Sequence, residues 1–280
     1  MLAAITLALG ASFVYGLSDF LGGLKSRSLP QLSVLLISQG GALVVLVAVA
    51  AASGAGPPDG RYVLYAVLAG LAEAVGIAAL YRGLAVGVMS VVAPIAATAA
   101  VIPVVVGAAR GETPTALQNG GIALALVGVF LASRTEPASH TGRRLAEGAG
   151  LGILAAVFIG LFLTVFDRAA EPDPYWATLI GRTGSAVLIA VAALASRTSL
   201  RLPPPTLAFV AAVGLLDVVG NTLFAVASTK GLVGVVAVLS SLYPVVTVAL
   251  ARAFHRERLR RVQALGVAAA FAGVGLIAAG

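Results

Sequence analysis

The sequence contains no cysteine and few charged residues, and both shortages limit what the protein can be. The absence of cysteine excludes disulfide bonds, thiol catalysis and cysteine metal sites. Charged residues make up 10% of the 280 residues, against about 25% in an average soluble protein. Because a soluble domain needs far more polar surface, this composition argues against a soluble enzyme, a disordered tail and a nucleic-acid-binding protein.

Long apolar stretches take the place of the missing charges. Hydrophobic residues form 60% of the chain, and the stretch at 43–52 contains no polar residue. A helix that crosses the hydrocarbon core needs roughly 20 apolar residues, whereas barrel strands alternate apolar and polar residues. We therefore predict an all-α polytopic membrane protein with ten transmembrane helices. The predicted spans are residues 2–23, 32–53, 62–82, 88–109, 117–133, 149–166, 175–196, 206–229, 234–254 and 263–280.

Three segments of the first half recur in the same order in the second half. The matching pairs, at offsets of 143 to 145 residues, are 37–53 with 180–196, 70–76 with 214–220, and 111–129 with 256–274. Polar residues align as well, since Glu112 matches Glu257 and Gln118 matches Gln263. We expect two five-helix repeats, residues 1–134 and 148–280, joined by a polar linker at 135–147.

Five helices per repeat have a topological consequence. Because five is odd, the second repeat enters the membrane from the opposite side, so the two repeats are inverted. Inverted repeats are a common design of secondary transporters, whose substrate site lies near the bilayer midplane between the repeats.

The basic residues favour one orientation. Thirteen of the 18 Lys and Arg residues lie in loops after odd-numbered spans, four lie in other loops, and Arg182 lies inside a span. The positive-inside bias then places the odd-numbered loops in the cytoplasm and both termini outside.

Glu73 and Asp217 are the strongest candidates for functional residues. An ionisable group inside a span costs roughly 2.5 to 3.5 kcal/mol on insertion scales, so it needs a partner, water or a bound substrate. The two acids occupy equivalent places in the repeats, near the middle of their spans. In both repeats one residue separates the acid from a preceding Gly-Leu and one residue separates it from a following Val-Gly. Such a pair suits a proton relay or a cation site, and the alternative is a protonated acid that bonds a neighbouring helix.

Arg182 is the third ionisable residue inside a span, and Gln39 is its equivalent in the first repeat. Because arginine keeps its charge, we expect it either to pair with an acid or anion or to extend its side chain to the membrane surface. Asp19, one turn after Tyr15, either lines a cavity or lies at the interface and pairs with Lys25.

Further residues complete the candidate site. Asn221 lies one turn after Asp217 on the same predicted helix face, and Tyr81 lies at the end of span three. Prolines inside spans bend helices and are candidates for gating; they are Pro94, Pro103 and Pro244. The sequence shows no enzyme motif, cofactor motif or metal site.

Two repeats and several local segments resemble the drug/metabolite transporter superfamily, and within it the ten-span EamA-like exporters. The segments are GETPTALQNGG at 111–121, RERLRRVQALG at 256–266 and LSSLYPVVTVALAR at 239–252. The resemblance covers nearly the whole chain. It implies a central cavity built from the first four spans of each repeat, with spans five and ten at the periphery. It also implies cytoplasmic termini, which the distribution of basic residues contradicts.

The repeats and the resemblance together predict a secondary transporter, not an enzyme. We expect it to export small polar metabolites, such as amino acids or drugs, by alternating access with or without proton coupling. Its expected partners are the lipid bilayer of a bacterial-type inner membrane, a small-molecule substrate and protons, with no nucleic acid, as a monomer or homodimer. The alternatives are a passive facilitator or channel and a non-transporting structural subunit.

Overall fold

A computed structural model of the protein describes residues 1–26, 29–52, 56–86, 92, 95–132, 142–198, 203–246 and 261–280. These residues form ten principal α-helices and no strand. The helices are α1 Leu2–Ser26, α2 Gln31–Ala52, α3 Gly60–Val86, α4 Val101–Ala109, α5 Ala116–Ala132, α6 Gly142–Ala170, α7 Pro174–Ala195, α8 Pro204–Ser228, α9 Val233–Ser240 and α10 Arg261–Ala279.

Seven helices are long and apolar enough to cross a membrane: α1, α2, α3, α6, α7, α8 and α10. The other apolar helical segments are shorter and span residues 95–109, 116–131 and 233–246. Helices suit lipid because they satisfy their backbone hydrogen bonds internally. The predicted all-helical, multi-pass architecture is therefore confirmed at the level of seven candidate spans. Of the expected polar linker, residues 135–141 lie outside the described residues, and α6 already begins at Gly142.

Local sequence signals explain several helix ends. The Asp173 carboxylate accepts hydrogen bonds from the backbone N–H groups of Tyr175 and Trp176, both at 2.8 Å, and Pro174 begins α7. Helix α5 begins with a capping box, in which the Thr115 N–H donates to the Gln118 side chain and the Gln118 N–H donates to the Thr115 hydroxyl.

Helical segments in spans four and nine are interrupted at equivalent places. A 3₁₀ turn at Thr98–Ala100 precedes α4, and a turn at residues 241–242 follows α9. Pro103 is the third residue of α4, and Pro244 lies in the short helical segment that follows the second turn. Proline is tolerated in a first helical turn because the N–H groups there have no partner within the helix. Pro94 lies outside the described residues.

The two repeats pack by exchanging equivalent contacts. Helix α3 packs on α6 and α7, while its equivalent α8 packs on α1 and α2. A Cβ atom placed on Gly70 of α3 would overlap the Gly181 carbonyl oxygen, and one on Gly214 of α8 would overlap the Ser38 carbonyl oxygen. Gly214 and Gly181 lie 144 and 143 residues after Gly70 and Ser38, so one close helix contact occurs twice with the repeats exchanged.

The same exchange relates the helices that precede these contacts. A Cβ atom on Gly16 of α1 would meet the Tyr243 carbonyl oxygen at 2.7 Å, and one on Gly160 of α6 would meet the Ala99 carbonyl oxygen at 2.6 Å. Gly160 lies 144 residues after Gly16, and Tyr243 lies 144 residues after Ala99, so the two contacts join equivalent positions with the repeats exchanged. A second pair of equivalent contacts is therefore exchanged between the two repeats.

Helices α5 and α10 occupy equivalent positions and pack against each other. A Cβ atom on Gly121 would meet Gly273 and Ile277, whereas one on Gly128, two turns later, would meet Gly266 and Ala270. Because the contact moves backward along α10 as it moves forward along α5, the two helices run antiparallel. Glycine suits these contacts because small residues allow close approach where lipid provides no hydrophobic drive.

Candidate functional site

A polar cluster lies where the two repeats meet. Gln39 is the ninth of the 22 residues of α2, and Arg182 is the ninth of the 22 residues of α7. The Arg182 Nη1 donates a hydrogen bond to the Gln39 Oε1 at 2.5 Å, and both residues are buried. Equivalent positions of the two repeats are thus in direct contact, and the guanidinium lies where α2 and α7 meet.

Both predicted acids lie beside this guanidinium. Glu73 stands thirteen residues, or about 20 Å, from either end of α3. The Arg182 Nη2 donates to the Asp217 Oδ2, and the Arg182 Nη1 lies 4.0 Å from the Glu73 Oε1. Arg182 is therefore paired with acids inside the protein and does not extend to the membrane surface, which decides between the two alternatives for this residue.

Asn221 connects Glu73 to helix α1. Its side-chain amide Nδ2 donates to the Glu73 Oε1 at 2.6 Å, and its Oδ1 accepts a hydrogen bond from the Tyr15 hydroxyl at 2.6 Å. A hydrogen-bonded chain thus runs from Tyr15 through Asn221 to Glu73, whose carboxylate forms an ion pair with Arg182 at 4.0 Å. In this closed environment such a chain polarises its members, and an unpaired polar group is costly.

A small cavity of about 50 Å³ lies next to the polar cluster. Helices α1, α3, α6, α8 and the end of α9 contribute its walls, and α5 and α10 contribute none. A water molecule needs roughly 10 to 15 Å³ of such space, so this conformation leaves room for a few waters. The lining residues are Tyr15, Asp19, Glu73, Ile77, Leu80, Ile159, Phe162, Leu163, Asp217, Asn221, Ser240, Ser241 and Tyr243.

Asp19 lies in the wall of this cavity. The alternative prediction was an interfacial pair with Lys25, but no such salt bridge joins these residues in the described part of the chain. The Lys25 ammonium lies 5.1 Å from the ring centre of Phe209. Asp19 therefore shares a cavity with Glu73 and Asp217.

The chain separations within this group are large, since Asp19 precedes Glu73 by 54 residues and Asp217 by 198 residues. Only the packing of α1 against α8, and of α3 against the second repeat, brings the three carboxylates to one cavity. The cavity lining contains no Lys, Arg or His among the described residues.

Two predicted residues lie near the site without lining the cavity. Gln39 contacts Arg182 and is not among the lining residues. Tyr81 is buried, and its hydroxyl is the group that a Cβ atom on Gly22 would meet at 2.6 Å. Tyr81 therefore packs α3 against α1.

Sequence reasoning missed the contribution of α9 to the cavity. Ser240, Ser241 and Tyr243 line it, at the point where α9 ends and the chain turns. A signal was present in the sequence, because the polar pair Ser-Ser and the Tyr-Pro pair interrupt an otherwise apolar span.

A second, polar pocket of about 340 Å³ lies at the far end of the helices. The Arg110 Nη1, directly after α4, lies 3.6 Å from the Asp167 Oδ2 in the last turn of α6, so this ion pair joins the two repeats. Asp167 and Ser228 both line this pocket. The pocket is near the start of α1, because a Cβ atom on its lining residue Gly231 would meet the Ala4 side chain at 2.8 Å.

Glu112 also reaches across the repeats in this pocket. Its Oε1 accepts a hydrogen bond from the Val233 N–H at 2.9 Å, and its Oε2 accepts one from the Gly234 N–H at 3.3 Å. A carboxylate at the first turn satisfies free N–H groups and favours the helix dipole. A residue of the first repeat thus caps α9 of the second repeat.

The described residues contain no group of three or more His, Asp or Glu side chains placed to hold a metal ion. The chemistry that the central cluster offers is therefore that of carboxylates, one guanidinium, an amide and tyrosine hydroxyls. These groups bind and release protons or cations and exchange hydrogen bonds.

Comparison with known proteins assigns the chain to a family. The EamA-like transporter family matches residues 2–134 and again residues 146–279. An uncharacterized protein of Methanocaldococcus jannaschii is 28% identical over 127 residues, which are 45% of this chain and 93% of that protein. A solved crystal structure shares the fold, with a TM-score of 0.80 over 98% of both chains at 17% identity. The chain is a multi-pass membrane protein that belongs to the EamA-like transporter family, with one copy of the family's sequence in each half.

Proposed function

We propose that this protein is a secondary transporter that exports a small organic solute across a bacterial-type inner membrane by alternating access, coupled to protons. The observation that carries the proposal is the pair of equivalent acids, Glu73 and Asp217, which share the single guanidinium of Arg182 in the middle of the helices. Buried ionisable groups of this kind mark substrate and proton pathways in membrane proteins.

The balance of charge supports proton coupling. Asp19, Glu73 and Asp217 line one cavity, whereas Arg182 is the single basic residue in contact with any of them among the described residues. With all three carboxylates ionised, the cluster would carry two uncompensated negative charges in the membrane interior. Since that is costly, the cluster holds protons or a cation and releases them when the cavity opens to water.

The packing of the repeats supports alternating access. Antiparallel packing of the equivalent helices α5 and α10 is the arrangement expected of inverted repeats, in which all ten helical regions cross the membrane. Inverted halves that exchange equivalent contacts have two related conformations, one open to each side. The small volume of the central cavity favours such a carrier over a wide open channel.

The proposal is tested with the purified protein in liposomes that carry a pH gradient. Labelled amino acids, amines and cationic dyes serve as the solutes, and solute uptake is measured together with proton flux. Glu73→Gln and Asp217→Asn should each abolish coupled transport, whereas Glu171→Gln, a change at an exposed acid paired with Arg168, should leave it unchanged. Full coupled transport by both central variants would disprove the role of these acids.

Two further experiments separate the alternatives. Counterflow of a labelled solute against its gradient requires a carrier, so its absence together with non-saturating flux would favour a passive facilitator. A cytoplasmic reporter and an exterior reporter, each fused after Gly280, test the orientation that the distribution of basic residues predicts. That orientation is wrong if the fusion is active with the cytoplasmic reporter alone.

A further inference from the structure

We propose that the central cavity binds a small organic cation with an apolar body, and that Asp19 is the carboxylate that pairs with its ammonium group. This assignment of a substrate class rests on the transport function proposed above. It narrows the predicted class of small polar metabolites to organic cations.

The charges that face the cavity all have one sign. Three carboxylates line it, and no basic side chain does so in the described part of the chain. Low-dielectric walls strengthen the attraction of such a surface for a cation and its repulsion of an anion. A solute that carries a carboxylate would therefore be disfavoured here.

Arg182 is not available to a substrate. Its terminal nitrogens bind Gln39 and Asp217, and Nη1 lies 4.0 Å from the Glu73 carboxylate. Its side chain is 1% exposed and does not belong to the cavity wall. The guanidinium thus offsets the negative charge of the acids in the cluster, and it is not accessible to a substrate anion.

Asp19 differs from the other two acids because it has no hydrogen-bond or ion-pair partner among the described residues. Glu73 accepts a hydrogen bond from Asn221, and Asp217 accepts one from Arg182. No hydrogen bond or salt bridge joins Asp19 to another residue that the structure describes. A carboxylate within a membrane helix needs a counter-charge or a proton, and the cavity beside Asp19 provides space for a cation.

The remaining walls determine what kind of cation fits. Apolar side chains of Ile77, Leu80, Phe162 and Leu163 face the space next to Asp19, and Tyr243 adds an aromatic ring. Aromatic faces attract organic cations, and apolar walls favour an apolar body. A bare metal ion lacks its ligands, since no cluster of three suitable side chains occurs among the described residues.

The volume of the cavity limits which part of an organic cation fits in the observed conformation. A cavity of about 50 Å³ accommodates an ammonium head group, and the apolar body requires the wider cavity of an open conformation. Benzylammonium is therefore a suitable probe. Benzyl alcohol and benzoate match its shape, but benzyl alcohol is neutral and benzoate is negatively charged.

The test measures binding to the purified full chain in detergent by thermal unfolding, with each of the three probes. Benzylammonium should raise the unfolding temperature, and the other two should not. Asp19→Asn should weaken benzylammonium binding by about tenfold or more, because the counter-charge is lost. Asp59→Asn, at an exposed position before α3, should bind it as the wild type does.

A second measurement uses the wild-type protein, so that it does not depend on the folding of a variant. A hydrophobic carbodiimide should modify Asp19, and benzylammonium should protect it while benzyl alcohol should not. The proposal is overturned if benzylammonium fails to bind, if benzyl alcohol or benzoate binds equally well, or if Asp19→Asn binds unchanged.

The outcomes separate this assignment from the proposed function. Binding through Asp19 without any solute or proton flux in liposomes would support the cation site and reject the transport function. Proton-coupled transport of anionic or neutral solutes, with no binding of benzylammonium, would support transport and reject the cation site.

Discussion

Gln39 and Arg182 hold equivalent positions in the two repeats, and the guanidinium of one donates a hydrogen bond to the amide oxygen of the other. This contact breaks the symmetry of the repeats at the place where they meet. One position carries a permanent cation and the other a neutral amide, so the equivalent acids Glu73 and Asp217 compete for one guanidinium.

Removing the cation should destabilise the protein more than removing a whole ion pair. Arg182→Gln leaves Asp217 without its partner, and we expect a loss of about 3 to 5 kcal/mol in the free energy of unfolding. Arg182→Gln combined with Asp217→Asn should recover most of that loss, because no unpaired charge remains. Thermal unfolding measures both effects, and a double variant no more stable than Arg182→Gln would contradict the prediction.

The glycine contacts between the repeats should tolerate no side chain. Gly70→Ala and Gly214→Ala each place a methyl group against a backbone carbonyl of the other repeat, and we expect each to cost about 1 to 3 kcal/mol or more. Gly120→Ala is the matched control, because a Cβ atom there meets nothing within 4 Å. Equal unfolding temperatures for Gly70→Ala and Gly120→Ala would show that the close contact is unimportant.

The carboxylate of Glu112 should stabilise helix α9 from the other repeat. Glu112→Ala removes the acceptor of the Val233 and Gly234 N–H groups, and we expect a loss of about 1 to 2 kcal/mol. Glu112→Gln keeps one acceptor oxygen and should lose less. Glu171→Ala, at an exposed acid, should change the free energy by under about 0.5 kcal/mol, and unfolding of Glu112→Ala at the wild-type temperature would refute the capping role.

The ion pair between Arg110 and Asp167 should help to close the end of the protein that holds the second pocket. Because the pair is partly exposed, its loss should shift the opening equilibrium by only about two- to fivefold. The absence of native cysteine makes Ser228→Cys a unique thiol. Arg110→Gln should speed its reaction with a membrane-impermeant maleimide.

A neighbouring position provides the control for this labelling experiment. Thr229 is exposed beside the buried Ser228. The thiol of Thr229→Cys should therefore react with the maleimide at the same rate in the wild-type background and in the Arg110→Gln background. Equal labelling of Ser228→Cys in both backgrounds would show that the ion pair does not keep this end closed.

Much of the fold could be predicted because lipid imposes simple rules on sequence. Unbroken apolar stretches must form helices, and seven of the predicted spans overlap helices that are long and apolar enough to cross a membrane. The duplication could also be recognised in the sequence, since polar residues such as Glu73 and Asp217 align between the halves. Spans four and nine were harder to predict, because their helical segments are short and interrupted beside Pro103 and Pro244.

The sequence predicted which residues belong to the candidate site, but it did not predict which of them contact each other. Ionisable residues inside spans are conspicuous because they are costly there, and this identified Glu73, Arg182 and Asp217. Their separation along the chain contains no information about which acid the guanidinium binds. The contribution of Ser240 and Tyr243 was missed, because polar groups at a helix end are common and need no functional role.

The sequence by itself determined the environment, the helical architecture, the duplication and the identity of the buried charges, since these depend on composition and periodicity along the chain. Only the tertiary structure decided which of those charges meet. It placed Arg182 between two equivalent acids and outside the cavity lining, and it placed Asp19 in the cavity wall with no ion-pair partner among the described residues. The physical reason is that helix packing through paired glycine contacts, which depends on both repeats at once, sets which faces of distant helices touch.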